Sequence, residues 1–238
     1  MLTGSKGAAD DKVRSDIYPS VFRQGTSEGN YLALTFDDSP MPETAELLRI
    51  LDELDVRATF FVCGNYATWR PELLEAIAAA GHEIGNHTYD HQNLTRVDDE
   101  TLRDELSRTN RVVKAVTGVA PHLFRPPGGN YDSRIVEEAY HQEMTTVMWS
   151  VSCSDYRNPP VSQLTSCIVR SVRPGAVILL HDGKRSTLRA LPEIVRELRE
   201  EGYVFVTVGE LMQLTSGMSL WPELQEEPQA SEEDRGVF

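Results

Sequence analysis

Seven short runs rich in β-branched and aromatic residues recur between Tyr31 and Leu214: YLALTF (31–36), ATFFVC (58–63), HEIG (82–85), LFR (123–125), TTVMWS (145–150), AVILL (176–180) and YVFVT (203–207). Between them, apolar residues repeat at helical spacing. Leu47, Ile50, Leu51 and Leu54 follow i, i+3, i+4, i+7 behind Pro42. PELLEAIAAAG puts Pro71 at a helix start and Gly81 just past its end. In DDETLRDELSRTNRVVKAV, Leu102, Leu106, Val113 and Val116 form one stripe, with acids in the first turn where they favour the helix dipole. Leu188, Leu191, Val195 and Leu198 repeat the pattern, and Pro192 predicts a helix start or a kink within it. Strands alternating with helices predict a parallel sheet covered by helices. Closed, such a sheet is a barrel; open, it is doubly wound. In either case, function collects at the C-terminal ends of the strands.

That rule selects particular side chains. LALTFDDSP (32–40) ends a strand on adjacent carboxylates, Asp37 and Asp38, which repel each other unless a cation, a proton or an arginine lies beside them. NHTYDH, after the HEIG run, carries His87 and His91 four residues apart; Arg125 opens RPPGG; Asp155 lies in SCSDYRNP; His181 directly follows AVILL. Each has an ordinary structural reading when taken alone: a solvated turn, a loop cap, a satisfied buried histidine. His82, His122 and His141 are read as structural. Combined, His87, His91 and one of the two Asp residues make a two-histidine, one-carboxylate set for a divalent cation. Such a cation lowers the pKa of its water toward about 7, leaving the other carboxylate as a base. His181 suits proton donation to a departing amine near neutral pH, with Asp155 to orient it and Arg125 to keep the base ionised.

Composition narrows the partners. A net charge of -14, with no clustered Lys or Arg, argues against nucleic acid. Part of that charge is local: Glu223, Glu226, Glu227, Glu232, Glu233 and Asp234 face only Arg235 in the last stretch, so residues 215–238 read as an acidic, disordered tail. Residues 1–30 read as an extended lead-in, and 31–214 as one domain. No apolar signal-type run follows Met1 and no run approaches the roughly 20 apolar residues of a membrane span, so the chain as given reads as soluble. This does not settle the compartment, because a leader removed beforehand would leave the same start. Cys63, Cys153 and Cys167 are too few and odd in number for a disulfide framework; Cys63 reads as buried, and a Cys153–Cys167 bridge stays open.

These motifs, in this order from Tyr31 to Leu214, resemble the polysaccharide deacetylases with a NodB homology domain, carbohydrate esterase family 4. The resemblance implies an α/β fold, a distorted barrel of about seven parallel strands. It makes Asp37 the catalytic base, Asp38, His87 and His91 the metal ligands, and Thr88 a hydrogen-bonding brace of their loop. It makes Arg125 the partner of Asp37, His181 the general acid, Asp155 the residue that tunes it, Tyr156 a groove wall, and Leu179 part of the acetyl-methyl pocket. Gly128 would offer its backbone N–H to the oxyanion. Three positions depart from the family pattern: Ser39 for Gly, Gly128 for an aromatic residue and Tyr156 for Trp. They bear on substrate preference more than on activity. The implied cofactor is zinc, with cobalt as the alternative. The implied activity is N-deacetylation of N-acetylglucosamine units in peptidoglycan or chitin-type glycans, by a monomer at the cell envelope or outside the cell. Rival readings are an O-acetyl esterase on xylan, a glycan-binding module without turnover, and a metal-free relative acting on small cyclic amides.

Overall fold

The computed structural model describes residues 21–216. Nine strands form one sheet: β1 (Val21–Phe22), β2 (Tyr31–Ser39), β3 (Thr59–Val62), β4 (Glu83–Asn86), β5 (Leu123–Phe124), β6 (Thr145–Val147), β7 (Val151–Ser152), β8 (Ala176–His181) and β9 (Val204–Val206). Their order is β1-β6-β5-β4-β3-β2-β8-β7, with β9 also paired to β2, and every ladder is parallel. The sheet curls into an incompletely closed barrel. Its two end strands are not laddered to each other; an antiparallel bridge from Gln24 to Ala176 and the Gly25 N–H to Gly175 carbonyl bond (2.8 Å) draw the edges together.

The helices are α1 (Thr44–Glu53), α2 (Gly64–Trp69), α3 (Pro71–Ala79), α4 (Asp99–Thr117), α5 (Ser133–His141), α6 (Val161–Ser171), α7 (Arg185–Glu200) and α8 (Val208–Ser216). Strand alternation sorts the core into two layers. Leu32, Leu34, Phe36, Phe60, Val62, Ile178 and Leu180 face outward and pack with Leu47, Leu51, Leu74, Leu191 and Ile194 of the helices. Ala33, Phe61, Leu123, Val147 and Val177 face the barrel interior with Val208 and Leu211. Both faces of β2 are therefore covered, which is why its sequence reads as a continuous apolar run. On the interior face the same alternation carries Ala33 and Thr35 on to Asp37, so the carboxylate end of the strand grows out of the core.

All seven sequence-predicted runs contain strands. TTVMWS is shorter than its run: β6 stops at Val147 and β7 begins at Val151. The expected lead-in over 1–30 already joins the sheet at Val21–Phe22, paired with Thr146 and Val147, so the folded unit starts before Tyr31. At the other end α8 continues through Ser216, past Leu214. Residues 1–20 and 217–238, and with them most of the lead-in and the acidic tail, lie outside the described residues. Helix α4 starts as predicted, with Asp98 accepting from the Thr101 N–H (2.8 Å), and ends at Gly118 in a left-handed conformation. Pro192 does not start α7 but lies within it, on its exposed side, where the missing N–H leaves only the Leu188 carbonyl without its intrahelical partner. No helix among the described residues is long and apolar enough to cross a membrane.

Cys153 and Cys167 are joined, tying the segment after β7 to α6, whereas Cys63 is a free, buried thiol. The bridge closes a 14-residue separation. Replacing both cysteines by serine is expected to lower the unfolding free energy by about 3 kcal/mol, the loop-closure scale for this length. Denaturant titration of the two proteins measures it, and equal midpoints would show that the bridge adds nothing to stability.

Candidate active site

Strand β2 brings its two carboxylates to the barrel mouth by different routes. Asp37 continues the inward alternation of Ala33 and Thr35, and it is buried. At Asp38 the backbone turns left-handed (φ 65°) and the register of β2 against β3 shifts between Phe36 and Ser39. The irregularity swings the Asp38 side chain to the same opening, where strict alternation would send it into the helical layer. Aspartate tolerates this conformation better than bulky residues do.

Arg125, wholly buried at the end of β5, enters the barrel interior and is held on several sides. Its Nη1 donates to Asp37 Oδ1 (2.7 Å) and Thr35 Oγ1 (2.7 Å), its Nη2 to the Met148 carbonyl (3.1 Å) and its Nε to the Val147 carbonyl (3.3 Å). The guanidinium carbon sits 4.0 Å from the centroid of the Phe61 ring. Burial works against the guanidinium charge; the Asp37 carboxylate opposes that effect. Thr35 passes its own hydroxyl hydrogen to the Ile178 carbonyl (2.7 Å), which ties the ion pair to β8.

His87 follows β4 and is almost wholly buried. Its Nδ1 lies 2.7 Å from the Arg125 carbonyl, an acceptor, so Nδ1 carries the hydrogen and Nε2 the lone pair. That Nε2 points at the carboxylates, 3.7 Å from Asp37 Oδ2 and 3.7 Å from Asp38 Oδ1. Burial pushes the His87 pKa down, favouring the neutral ring, despite the nearby acids. His91 Nε2 approaches Asp38 Oδ1 to 3.1 Å and its pKa is raised by that contact. Burial alone would raise Asp38; the close approach of His91 and the charges of both histidines outweigh it and hold the carboxyl at about 2.

One ligand atom from each of Asp38, His87 and His91 falls within 4.8 Å of the others. Asp38 Oδ1 is buried and, among the described residues, accepts no hydrogen bond of good geometry. An orphaned anionic oxygen facing two imidazoles, one locked in the ligand tautomer, is a donor set that fits a divalent cation.

On the other side of β2, His181 ends β8 in register with Asp37. Asp155, buried, accepts three bonds: from His181 Nδ1 (2.8 Å) and the Thr187 hydroxyl (2.7 Å), and from the His181 backbone N–H (2.7 Å). Burial disfavours the imidazolium, but the hydrogen bond and charge of Asp155 outweigh it and raise the His181 pKa. Tyr156, half exposed, sets its ring edge-on to His181 at 5.8 Å. Leu179 is buried two residues before His181, on the same interior face of β8. Gly128 occupies the turn after Arg125 with φ 63°, and Gly129 packs so closely under Trp149 that a Cβ would lie 2.7 Å from its ring. All ten sequence-predicted site residues thus lie on loops or strand ends at one mouth of the barrel.

The Thr88 expectation needs correction. Its hydroxyl is buried and makes no hydrogen bond among the described residues. The loop is braced through its backbone instead: the Thr88 N–H donates to Asn86 Oδ1 (2.8 Å), and the Thr88 carbonyl accepts from the Gly64 N–H (2.9 Å). Thr88 (φ 67°) and His91 (φ 55°) are both left-handed, a conformation costing roughly 1–3 kcal/mol for such residues unless surroundings enforce it.

Sequence reasoning missed the residue that does most to enforce it. Glu105 of α4, only 3% exposed, accepts the Tyr89 N–H (2.9 Å) and the Asp90 N–H (2.8 Å) on Oε2, and Gln92 Nε2 (3.2 Å) on Oε1. Its signal was present: a carboxylate inside the buried stripe of α4, between Leu102 and Thr109. Asp182, buried beside His181, was also missed. It accepts from the Thr44 hydroxyl (2.5 Å) and the Met41 N–H (3.3 Å), fastening the loop after Asp38, and burial raises its pKa.

An α/β barrel with a histidine–carboxylate centre, flanked by an Arg–Asp pair and a His–Asp pair, is an arrangement suited to hydrolytic chemistry. Residues 24–147 match the family profile described as polysaccharide deacetylase, and the chain belongs to that family. It is 36% identical over 187 residues to a peptidoglycan-N-acetylglucosamine deacetylase of Bacillus cereus, covering 76% of this chain and 87% of that one. It is 34% identical over 170 residues to an uncharacterized protein, YlxY, of Bacillus subtilis, covering 71% of this chain but only 53% of that relative. Among solved structures, a carbohydrate esterase family 4 pseudoenzyme from Bacillus anthracis superposes with a TM-score of 0.80 at 31% identity, over 84% of this chain and 71% of that one.

Replacing Glu105 with leucine is expected to weaken divalent-metal binding by about 10- to 100-fold, the usual cost of losing an outer support of a ligand loop. Competition against a chromophoric chelator measures it on protein whose circular dichroism is unchanged. Undiminished affinity would mean that the left-handed loop holds its shape without Glu105.

Proposed function

We propose that this protein is a metal-dependent deacetylase that hydrolyses the acetamide of N-acetylglucosamine units in peptidoglycan or chitin-type glycans. The observation that carries this reading is the pairing of Asp37 with Arg125 beside a separate Asp38–His87–His91 ligand set. A site that only bound glycan would have no need of a second buried carboxylate, held by an arginine, beside the ligand set. Its glycan polymers lie outside the cell membrane, so we place the activity at the cell envelope.

Asp38, His87 and His91 would hold a divalent cation, zinc or cobalt, which would supply Lewis acidity toward the acetyl carbonyl and lower the pKa of water toward neutrality. Asp37 accepts the proton of the attacking water. Arg125 fixes its Oδ1 by a 2.7 Å hydrogen bond, leaving Oδ2 toward the reaction centre. We assign the developing oxyanion to the Gly128 N–H, a role that needs no side chain and is compatible with glycine at this position. His181, held by Asp155 through Nδ1, delivers a proton from Nε2 to the departing nitrogen. Leu179 offers an apolar seat for the acetyl methyl, and Tyr156 walls the groove beside His181.

Acetate release from chitooligosaccharide and from acetylated xylan, each with native, chelator-stripped and zinc- or cobalt-restored protein, tests the assignment. Metal-dependent release from the amide is expected; release from xylan alone would assign an O-acetyl esterase, and silence on both a binding protein. Asp37→Asn is expected to retain metal and lose at least about 100-fold in kcat, the lower range for a general base. Near-normal turnover would remove Asp37 from that role.

Because His181 must be protonated to act and Asp155 raises its pKa, activity reaches to higher pH than a free imidazole would allow. In Asp155→Asn the raising charge is gone. The basic limb of the kcat profile is therefore expected to move to lower pH, and a limb that stays in place would assign it to another group.

A further inference from the structure

Helix α2 bridges the two loops that carry the candidate metal ligands. At its start, the Gly64 N–H donates to the Thr88 carbonyl (2.9 Å), and the Asn65 N–H to the Tyr89 carbonyl (3.0 Å). Just before it, the Cys63 N–H donates to the Ser39 carbonyl (2.9 Å); just after it, Arg70 Nη1 reaches the Pro40 carbonyl (3.4 Å). The helix is thereby fastened to the rim of the mouth, between the histidine loop and the loop that follows Asp38.

Its inner contacts are made by Gly64 and Ala67, both buried. On the rim it presents Tyr66, half-buried, and Trp69, which at 68% is the most exposed large apolar side chain among the described residues. The two rings stand 6.1 Å apart with planes inclined by 35°.

A single exposed aromatic residue is ordinary, but an adjacent pair on the rim of a site marks a contact surface. Tyrosine and tryptophan offer large, flat, rigid areas at little entropic cost. A pyranose ring has a matching flat face of C–H groups. The chain is strongly acidic overall, at -14, which disfavours a polyanionic occupant and leaves an uncharged sugar as the fitting one.

We infer that Tyr66 and Trp69 form a glycan subsite, a stacking platform for a sugar unit flanking the acetylated residue, which makes the protein select oligomers over short substrates. This rests on the deacetylase reading above. Sugars bound at the catalytic centre alone would not touch Trp69; a chain extending over α2 would.

The test compares zinc-loaded wild type with Trp69→Ala and Tyr66→Leu on N-acetylchitotetraose and N-acetylchitobiose. For the tetramer, KM is expected to rise about tenfold in Trp69→Ala, equivalent to about 1.4 kcal/mol, with kcat unchanged. For the dimer, KM stays within about twofold, because little apolar contact is lost. Tyr66→Leu follows the same selective pattern. Equal changes on both substrates, or none on either, would overturn the platform.

Calorimetric binding of the tetramer to zinc-loaded Asp37→Asn protein, with and without Trp69→Ala, is run in parallel. Tenfold weaker binding supports the platform even where wild type releases no acetate, which separates its fate from that of the proposed reaction. Unchanged affinity overturns it, as does unchanged affinity accompanied by loss of self-association in sedimentation, which would assign Trp69 to a contact between copies.

Discussion

The buried pair of Arg125 and Asp37 is the constraint around which the rest of this site is arranged. Removing two charges from water costs several kcal/mol per ion, and attraction between them repays it only with good geometry and satisfied remaining donors. Here the guanidinium spends its hydrogens on Asp37, Thr35 and the carbonyls of Val147 and Met148. Four strands or strand ends, β2, β5, β6 and β8, meet at one cation through these bonds and the Thr35 link to Ile178. The pair makes the upper end of the barrel interior a fixed electrostatic frame. The Arg125 carbonyl then sets the tautomer of His87, so one residue orders both Asp37 and His87.

A second constraint is backbone conformation. Asp38, Thr88 and His91 all take positive φ, and each is at or beside the Asp38–His87–His91 cluster. Regular strands and helices do not bring together three side chains from β2 and β4, which β3 separates, so the chain departs from both, and the departure has to be enforced from outside. Asn86 and Glu105 do this for the histidine loop, and Asp182 with Thr44 does it for the loop after Asp38. Buried carboxylates that accept backbone N–H groups are suited to the task, because charge-assisted bonds are the stronger kind.

On the other flank, the loop of Asp155 is anchored by its own bonds to His181 and Thr187, with the Cys153–Cys167 bridge holding the chain two residues upstream. Asp37 and His181 thus sit in register on neighbouring strands of one ladder. The substrate side is less enclosed. Gly128 contributes no wall, Tyr156 is half exposed, and the aromatic pair of α2 lies farther along the rim.

Much of this was legible in the chain itself. Alternating strand and helix patterns specified a parallel, helix-covered sheet, and the rule that strand ends carry function selected Asp37, Asp38, His87, His91, Arg125, Asp155 and His181 before any coordinates. These signals are local: periodicity, turn residues and the polar group that ends an apolar run all reside within a few positions. Other features were not local. Whether the sheet curled into a barrel depended on contacts between Gln24 and Ala176. The pairing of Cys153 with Cys167 depended on where α6 packs, and the strand at Val21–Phe22 is too short to show a period. Glu105 serves a loop 15 residues earlier in sequence, and only folding places its carboxylate under those amides. The sequence determined which residues could do chemistry, because residue type and local spacing are written in it. The tertiary structure decided which of them meet, and which buried acid holds them there, because those contacts join segments that no local pattern connects.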